Sequence, residues 1–249
     1  MRRLEGRVGL ITGGSRGLGR GIALAFAEEG ASVALSYLQA EKSAQEVVQA
    51  IESRGSEALA QRADVTEPDD VANLVEAARQ RFGRIDILVN NAGIASPRAF
   101  TEMTIEEWDQ LIAVHLRGMF LCSRNAVPLM LQQGKGKIIN MVGSFGIQPE
   151  ANWTHLSTAK AGMIAFTQAL GRELGPKGVR VNAVCPAMTK TEMIEHFDPK
   201  MLEALRQRYP LRRLGEIEDV TATVLFLASD DSDFFTGQTL APCGGDVMV

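Results

Sequence analysis

Short runs of β-branched and aliphatic residues alternate along this chain with longer amphipathic stretches. That alternation predicts βα units around a parallel sheet covered on both faces. Strand-like runs occupy residues 8–12, 33–37, 58–61, 87–89, 137–141 and 179–184. A helical period places helices over 18–29, where Gly30 supplies the stop, and near 43–54, 69–82, 105–131, 158–174 and 217–228. Each crossover is long enough for a helix, so the expected fold is α/β, a Rossmann-like doubly wound parallel sheet. Residues 189–213 have helical periodicity but no following strand, and are expected to form a small helical lid over the ligand crevice. No linker-like or low-complexity stretch divides the chain, which predicts one nucleotide-binding domain over 1–249.

Composition narrows the ligands. A chain of 249 residues, 45% hydrophobic and 22% charged, can bury a sizeable core. The net charge of −4 and pI near 5.5 disfavour a nucleic-acid or anionic-membrane surface, since both need concentrated Lys and Arg. Small molecules are the expected partners. No secretory pattern or membrane-length apolar run occurs, so a cytoplasmic location is expected. Cys122, Cys185 and Cys243 are widely separated and fit neither a disulfide framework nor a zinc site; no metal is expected.

Candidate chemistry begins after the first strand. Thr12-Gly13-Gly14-Ser15-Arg16-Gly17-Leu18-Gly19 is a glycine-rich turn that opens directly into a helix. Glycines allow close backbone approach to a pyrophosphate, and a helix N-terminus offers free N–H groups and a positive dipole end. Gly13, Ser15, Arg16, Gly17, Leu18 and Gly19 are therefore candidate cofactor-binding residues. NAD-preferring folds place a carboxylate at the end of the second strand, whereas here that end reads Leu35-Ser36-Tyr37-Leu38. With Arg16 in the turn and Ser36 as a possible hydroxyl contact, NADP(H) is favoured over NAD(H).

These residues, with several motifs in the right order, resemble the short-chain dehydrogenase/reductase family over essentially the whole chain. The further motifs are Asp64-Val65, Asn90-Asn91-Ala92-Gly93, Lys160, Val181-Asn182-Ala183-Val184-Cys185-Pro186 with Thr191, and Thr236-Gly237-Gln238. The nearest-looking relatives are acyl-carrier-protein-type ketoreductases and similar carbonyl reductases. The resemblance implies adenine contact by Asp64 and Val65, and ribose contact by the segment holding Asn90, Ala92 and Gly93. It also implies a nicotinamide-ribose clamp by Lys160, carboxamide contact near Pro186 and Thr191, and a homotetramer in which 240–249 contributes to a second interface.

The family's active site uses Asn, Ser, Tyr and Lys, and this chain departs from it at three of the four positions. His115 stands at the Asn position, Gly143 at the Ser position by ungapped counting, and Leu156 at the Tyr position; Lys160 is retained. Leucine cannot donate a proton. The candidates for the missing chemistry are His115, whose imidazole trades protons near neutrality, Ser144 as a carbonyl orienter, and His155 beside the lost tyrosine. Each has a plain structural alternative: packing for His115, a backbone bond for Ser144, exposure for His155. His196 and Tyr209 fall in the lid and could reach a substrate or pack. Lys160 could act as a ribose clamp or as an amine nucleophile.

Three functions are compatible with these residues. One is NADP(H)-dependent reduction of a carbonyl, or oxidation of the alcohol, with a non-standard proton donor. Another is a non-redox dehydratase, cyclase or isomerase in the same pocket. The last is a catalytically inactive NADP(H)-binding regulatory subunit. The lid's Met188, Met193, Ile194 and Phe197 suggest an apolar or aromatic carbonyl or hydroxy substrate.

Overall fold

The computed structural model describes residues 2–194 and 197–248. The apolar runs become β1 (Val8–Ile11), β2 (Ser32–Tyr37), β3 (Ala58–Arg62), β4 (Ile87–Asn90), β5 (Gly136–Met141) and β6 (Val179–Val184). A seventh strand, β7 (Thr239–Leu240), completes a parallel sheet of order β3-β2-β1-β4-β5-β6-β7. This strand was not expected from periodicity. It is two residues long and exists through pairing of Ala183 with Thr239 and Val184 with Leu240, a non-local interaction.

The helices are α1 (Gly17–Glu28), α2 (Glu41–Glu52), α3 (Pro68–Phe82), α4 (Ile105–Ile112), α5 (Gly118–Gln133), α6 (Thr154–Leu174), α7 (Pro199–Arg208) and α8 (Ile217–Ala228). One face of the sheet packs Ile22, Phe26, Val47 and Val224 from α1, α2 and α8. The other packs Leu74, Ala126 and Met130 from α3 and α5. Strand order reverses between β1 and β4, and doubly wound sheets bind ligands in the crevice beyond the carboxyl ends of the strands at such a point.

Two helix boundaries differ from the sequence-based expectation, and both shape the site. The stretch expected as one helix over 105–131 is interrupted by a π-helical turn, Ala113–Arg117, centred on His115. Such turns insert one extra residue and recur at functional sites. A Thr104–Glu107 capping box starts α4. The helix expected from 158 begins instead at Thr154, which places His155, Leu156 and Ser157 in its first turn. Asn152, in the left-handed region at φ 66°, turns the chain into it, and Trp153 is buried at the cap. Residues 189–213 carry a short 3-10 turn, Glu192–Ile194, followed by α7.

Candidate active site

The glycine turn is held from behind by the end of β4. The Thr12 hydroxyl accepts from the backbone N–H groups of Asn91 and Ala92, both at 3.0 Å. Asn91 Nδ2 donates to the carbonyls of Thr12 and Gly13 at 3.0 and 3.1 Å. Neither Thr12 nor Asn91 was among the sequence-based candidates, although both flank the motifs that were. Their contribution is tertiary, a bracket between two strand ends, and only their positions next to the glycines hinted at it.

Arg16 is extended at the start of α1 and makes no side-chain cap bond, so no side chain of that residue competes for the first amide donors of the helix. Gly19 is enclosed: a Cβ there would stand 2.2 Å from the Gly13 carbonyl oxygen. Gly19→Ala must therefore displace turn backbone. It is expected to weaken dinucleotide binding by at least about tenfold, the equivalent of about 1.4 kcal/mol. Titration of NADPH fluorescence checks this. Ser15 is buried, and Leu18 packs its side chain towards the apolar layer of α1, leaving its backbone for a ligand. Thr191 reaches this turn from the other side, its Cγ2 being 3.5 Å from where a Gly17 Cβ would lie. These features fit a dinucleotide: a close-approach turn, unfilled helix donors, and a covering threonine.

Some candidate residues contribute differently from the expectation. Ser36 is buried and its hydroxyl accepts from the Gly13 N–H at 3.1 Å, so it braces the turn rather than facing a ribose. Asn90 points inward. Its Nδ2 donates to Asn140 Oδ1 at 2.8 Å and Ser123 Oγ at 3.2 Å, so the Asn90 side chain is engaged inside the fold. Asp64 Oδ1 accepts from the N–H and hydroxyl of Thr66 at 2.9 and 2.8 Å, while Val65 packs near Gly118. Gly93 lies against the His115 ring, and the Pro186 carbonyl accepts from the Ser144 N–H at 3.1 Å.

Lys160 and the positions around it form the chemical end of the crevice. Lys160 Nζ donates to the Met141 carbonyl at 2.7 Å. Burial lowers its ammonium from the usual range to about 8. Leu156, four residues earlier, is buried among Leu111, Trp153, Ala159 and the partly buried Leu116, Phe145 and Phe197. Leu156 is thus a packed apolar contact. Phe145 stacks on Trp153 at 5.1 Å between ring centroids, and Phe197 approaches Trp153 at 6.2 Å.

His115 is buried, with Nε2 2.8 Å from the Ile94 carbonyl oxygen. Burial first, then the nearby Lys160 charge, push its imidazole down to about 3. A ring neutral throughout the physiological range, with Nε2 against the Ile94 backbone, is poorly suited to donate a proton and favours the packing alternative for His115. His155 is buried, which removes exposure as its plain alternative, because α6 starts earlier and tucks its first turn inward. Burial lowers its pKa while the Glu107 charge opposes the shift.

Gly143 has φ 87° and ψ 158°, a backbone region essentially reserved for glycine. A serine at that position would be strained, and the next residue, Ser144, carries the nearest hydroxyl along the chain. That hydroxyl has no hydrogen bond among the described residues. In the lid, Tyr209 is buried and its hydroxyl accepts from the Met188 N–H at 3.2 Å, a packing role. Ile194, Met188 and Phe197 share that small core, while Met193 is exposed. His196 lies outside the described residues.

A family profile described as enoyl-(acyl carrier protein) reductase matches residues 13–246. A 3-oxoacyl-acyl-carrier-protein reductase from Synechocystis sp. is 41% identical over 249 residues, spanning 100% of both chains. One from Thermotoga maritima is 39% identical over 246 residues, spanning 99% of this chain and 100% of its own. Among solved structures, a dehydrogenase/reductase from Sinorhizobium meliloti superposes with a TM-score of 0.94 at 36% identity, covering 98% of this chain and 96% of that one. A variant of a Serratia marcescens short-chain dehydrogenase/reductase superposes at 0.93 with 31% identity, covering 98% and 99%. With whole-length similarity in both sequence and fold, the chain belongs to the short-chain dehydrogenase/reductase family of oxidoreductases.

Proposed function

We propose that this chain is an NADP(H)-dependent carbonyl reductase that takes its proton from Lys160. The observation that carries this reading is the pairing of a complete dinucleotide cradle with one usable acid. Around Leu156, burial keeps His115 and His155 neutral near pH 7, whereas Lys160 remains an ammonium below about pH 8. A general acid works best with a pKa near the operating pH. The reduced nicotinamide supplies the hydride when bound. Lys160 then donates an N–H proton to the oxygen that gains charge, becomes a neutral amine, and is reprotonated from solvent. Ser144 orients that oxygen, and Thr12 and Asn91 keep the turn in register.

The relatives named as 3-oxoacyl-acyl-carrier-protein reductases point to a 3-oxoacyl thioester as the first substrate to try. The Phe145, Trp153 and Phe197 side chains favour a small apolar or aromatic ketone as the second class. Residues 189–213 act as the lid. The exposed Phe100, Ile105 and Phe120 on the α4–α5 side supply an apolar face for a neighbouring copy in a cytoplasmic homotetramer. No helix among the described residues is long and apolar enough to cross a membrane.

The test is NADPH consumption with 3-oxoacyl thioesters and small ketones, with the alcohol identified as product. Binding of NADPH without consumption across both classes, or product formed without a change in redox state, overturns the reading. Arg16 supports the cofactor preference, being exposed at the turn with no ion-pair partner among the described residues. Arg16→Ala is expected to weaken NADPH binding by about ten- to a hundredfold, the range of a charged hydrogen bond, and to leave NADH binding unchanged. Parallel titrations of the two cofactors check this.

A further inference from the structure

Among the buried side-chain polar atoms without a protein partner, Asn90 Oδ1 and His115 Nδ1 share one location. Both residues line one void of about 10 Å³, together with Thr12, Val65, Met119 and Met163. A void of this size accommodates about one water molecule, and an unpaired buried polar atom costs on the order of 1–3 kcal/mol.

The neighbouring contacts give the hydrogen-bond directions around the void. Thr167 donates its hydroxyl to the Met163 carbonyl at 2.8 Å, so its oxygen accepts from Asn140 Nδ2 at 2.9 Å. Asn140 Oδ1 must then accept from Asn90 Nδ2 at 2.8 Å, which leaves Asn90 Oδ1 as an acceptor towards the void. On the other side, His115 Nε2 lies 2.8 Å from the Ile94 carbonyl oxygen and 3.3 Å from the Ile94 backbone nitrogen, and the shorter approach favours a proton on Nε2, since two lone pairs would repel there. His115 Nδ1 is therefore also an acceptor. The ligand must offer two donors in the space of one small molecule, with Met119, Met163 and Val65 as apolar lining.

We infer that the void between Asn90 and His115 is a built site for one water molecule, which donates to both Asn90 Oδ1 and His115 Nδ1. It thereby fixes His115 as a neutral, Nε2-protonated positioning residue. The water joins the buried chain Thr167–Asn140–Asn90 to the His115 ring, and the ring holds Ile94 in the segment that borders the crevice. The titratable groups whose charges act on the ring are Lys160 and His155; both penalise an imidazolium, in keeping with the neutral tautomer. The inference does not depend on the reductase reading.

Two measurements on the unmodified chain test it without turnover. A high-resolution crystal structure is expected to show one ordered water within about 2.7–3.2 Å of both atoms. Long-range ¹H–¹⁵N spectra of histidine-labelled protein are expected to show His115 as the Nε2–H tautomer from pH 6 to 8.5, assigned by its loss in His115→Asn. An empty void, an Nδ1–H tautomer, or a His115 ring that titrates near its ordinary value would overturn the inference. If His115→Asn does not fold, the crystal structure still decides.

Discussion

Lys160→Met is expected to lower NADPH-linked turnover by about 10²- to 10⁴-fold, the usual contribution of a general acid. Methionine keeps the aliphatic length that lies along α6 but has neither charge nor proton. The loss cannot come from unfolding, because removing a buried ammonium lifts a desolvation cost rather than adding one. The melting temperature is therefore expected to hold or rise. Lys160→Arg separates binding from chemistry. A guanidinium retains the charge at this position but does not release a proton in the neutral range, so binding should survive while turnover is lost. Turnover by Lys160→Met close to that of the unmodified chain would eliminate Lys160 as the acid.

The same lysine sets a pH dependence of definite sign. Its pKa in the fold, about 8, lies below the unfolded value of 10.5. Between those values the unfolded chain binds a proton that the folded chain does not, so this group makes stability rise with pH across the window. Below about pH 8 both states are protonated and the cost of burying the charge is fully present. Carbonyl reduction, which needs the ammonium, should instead fall as pH rises through 8. Rate and stability should thus move in opposite directions above that pH, as parallel kinetic and thermal scans would show. A rate that is flat from pH 7 to 9.5 contradicts the assignment.

The second large effect concerns Leu156. Leu156→Ala is expected to cost about 2–5 kcal/mol through lost burial and a residual cavity. For a chain of this size that is a fall of roughly 5–20 °C in melting temperature. The reason is local: Leu156 is 5% exposed and packs against Leu111, Trp153 and Ala159 in a cluster that has no alternative filler. Leu156→Tyr tests the same space from the other direction. The larger ring overpacks the cluster at about 1–3 kcal/mol, yet it brings a phenol hydroxyl to the helical face that carries Lys160. It should therefore lower the melting temperature while raising turnover. A melting temperature for Leu156→Ala within 2 °C of the unmodified chain would mean that the cluster is not packed in solution.

Legibility from the sequence followed the range of the interaction. The βα alternation and the glycine turn depend on periodicity and backbone freedom within a few residues, and six of the seven strands were found nearly in place. β7 was not, because two residues hold no period and the strand exists only by pairing with β6. The π turn at His115 was read as plain helix for a similar reason: an extra residue in a helix leaves the apolar pattern almost unchanged. At the site, Lys160 and the phosphate turn could be read from spacing. The burial of His155 and the inward turn of Asn90 depend on what packs against them, which the chain order does not state.

The sequence by itself determined the architecture and the glycine turn after the first strand, since each follows from residue type at a given spacing; the departures at His115, Gly143 and Leu156 are what the family resemblance implies. The tertiary structure alone decided what surrounds those three residues. Burial made His115 neutral and set its Nε2 against Ile94, the backbone at Gly143 left Ser144 as the nearest hydroxyl along the chain, and apolar packing closed over Leu156. The physical reason is that protonation, strain and packing are properties of an environment, and that environment is assembled from segments far apart in the chain.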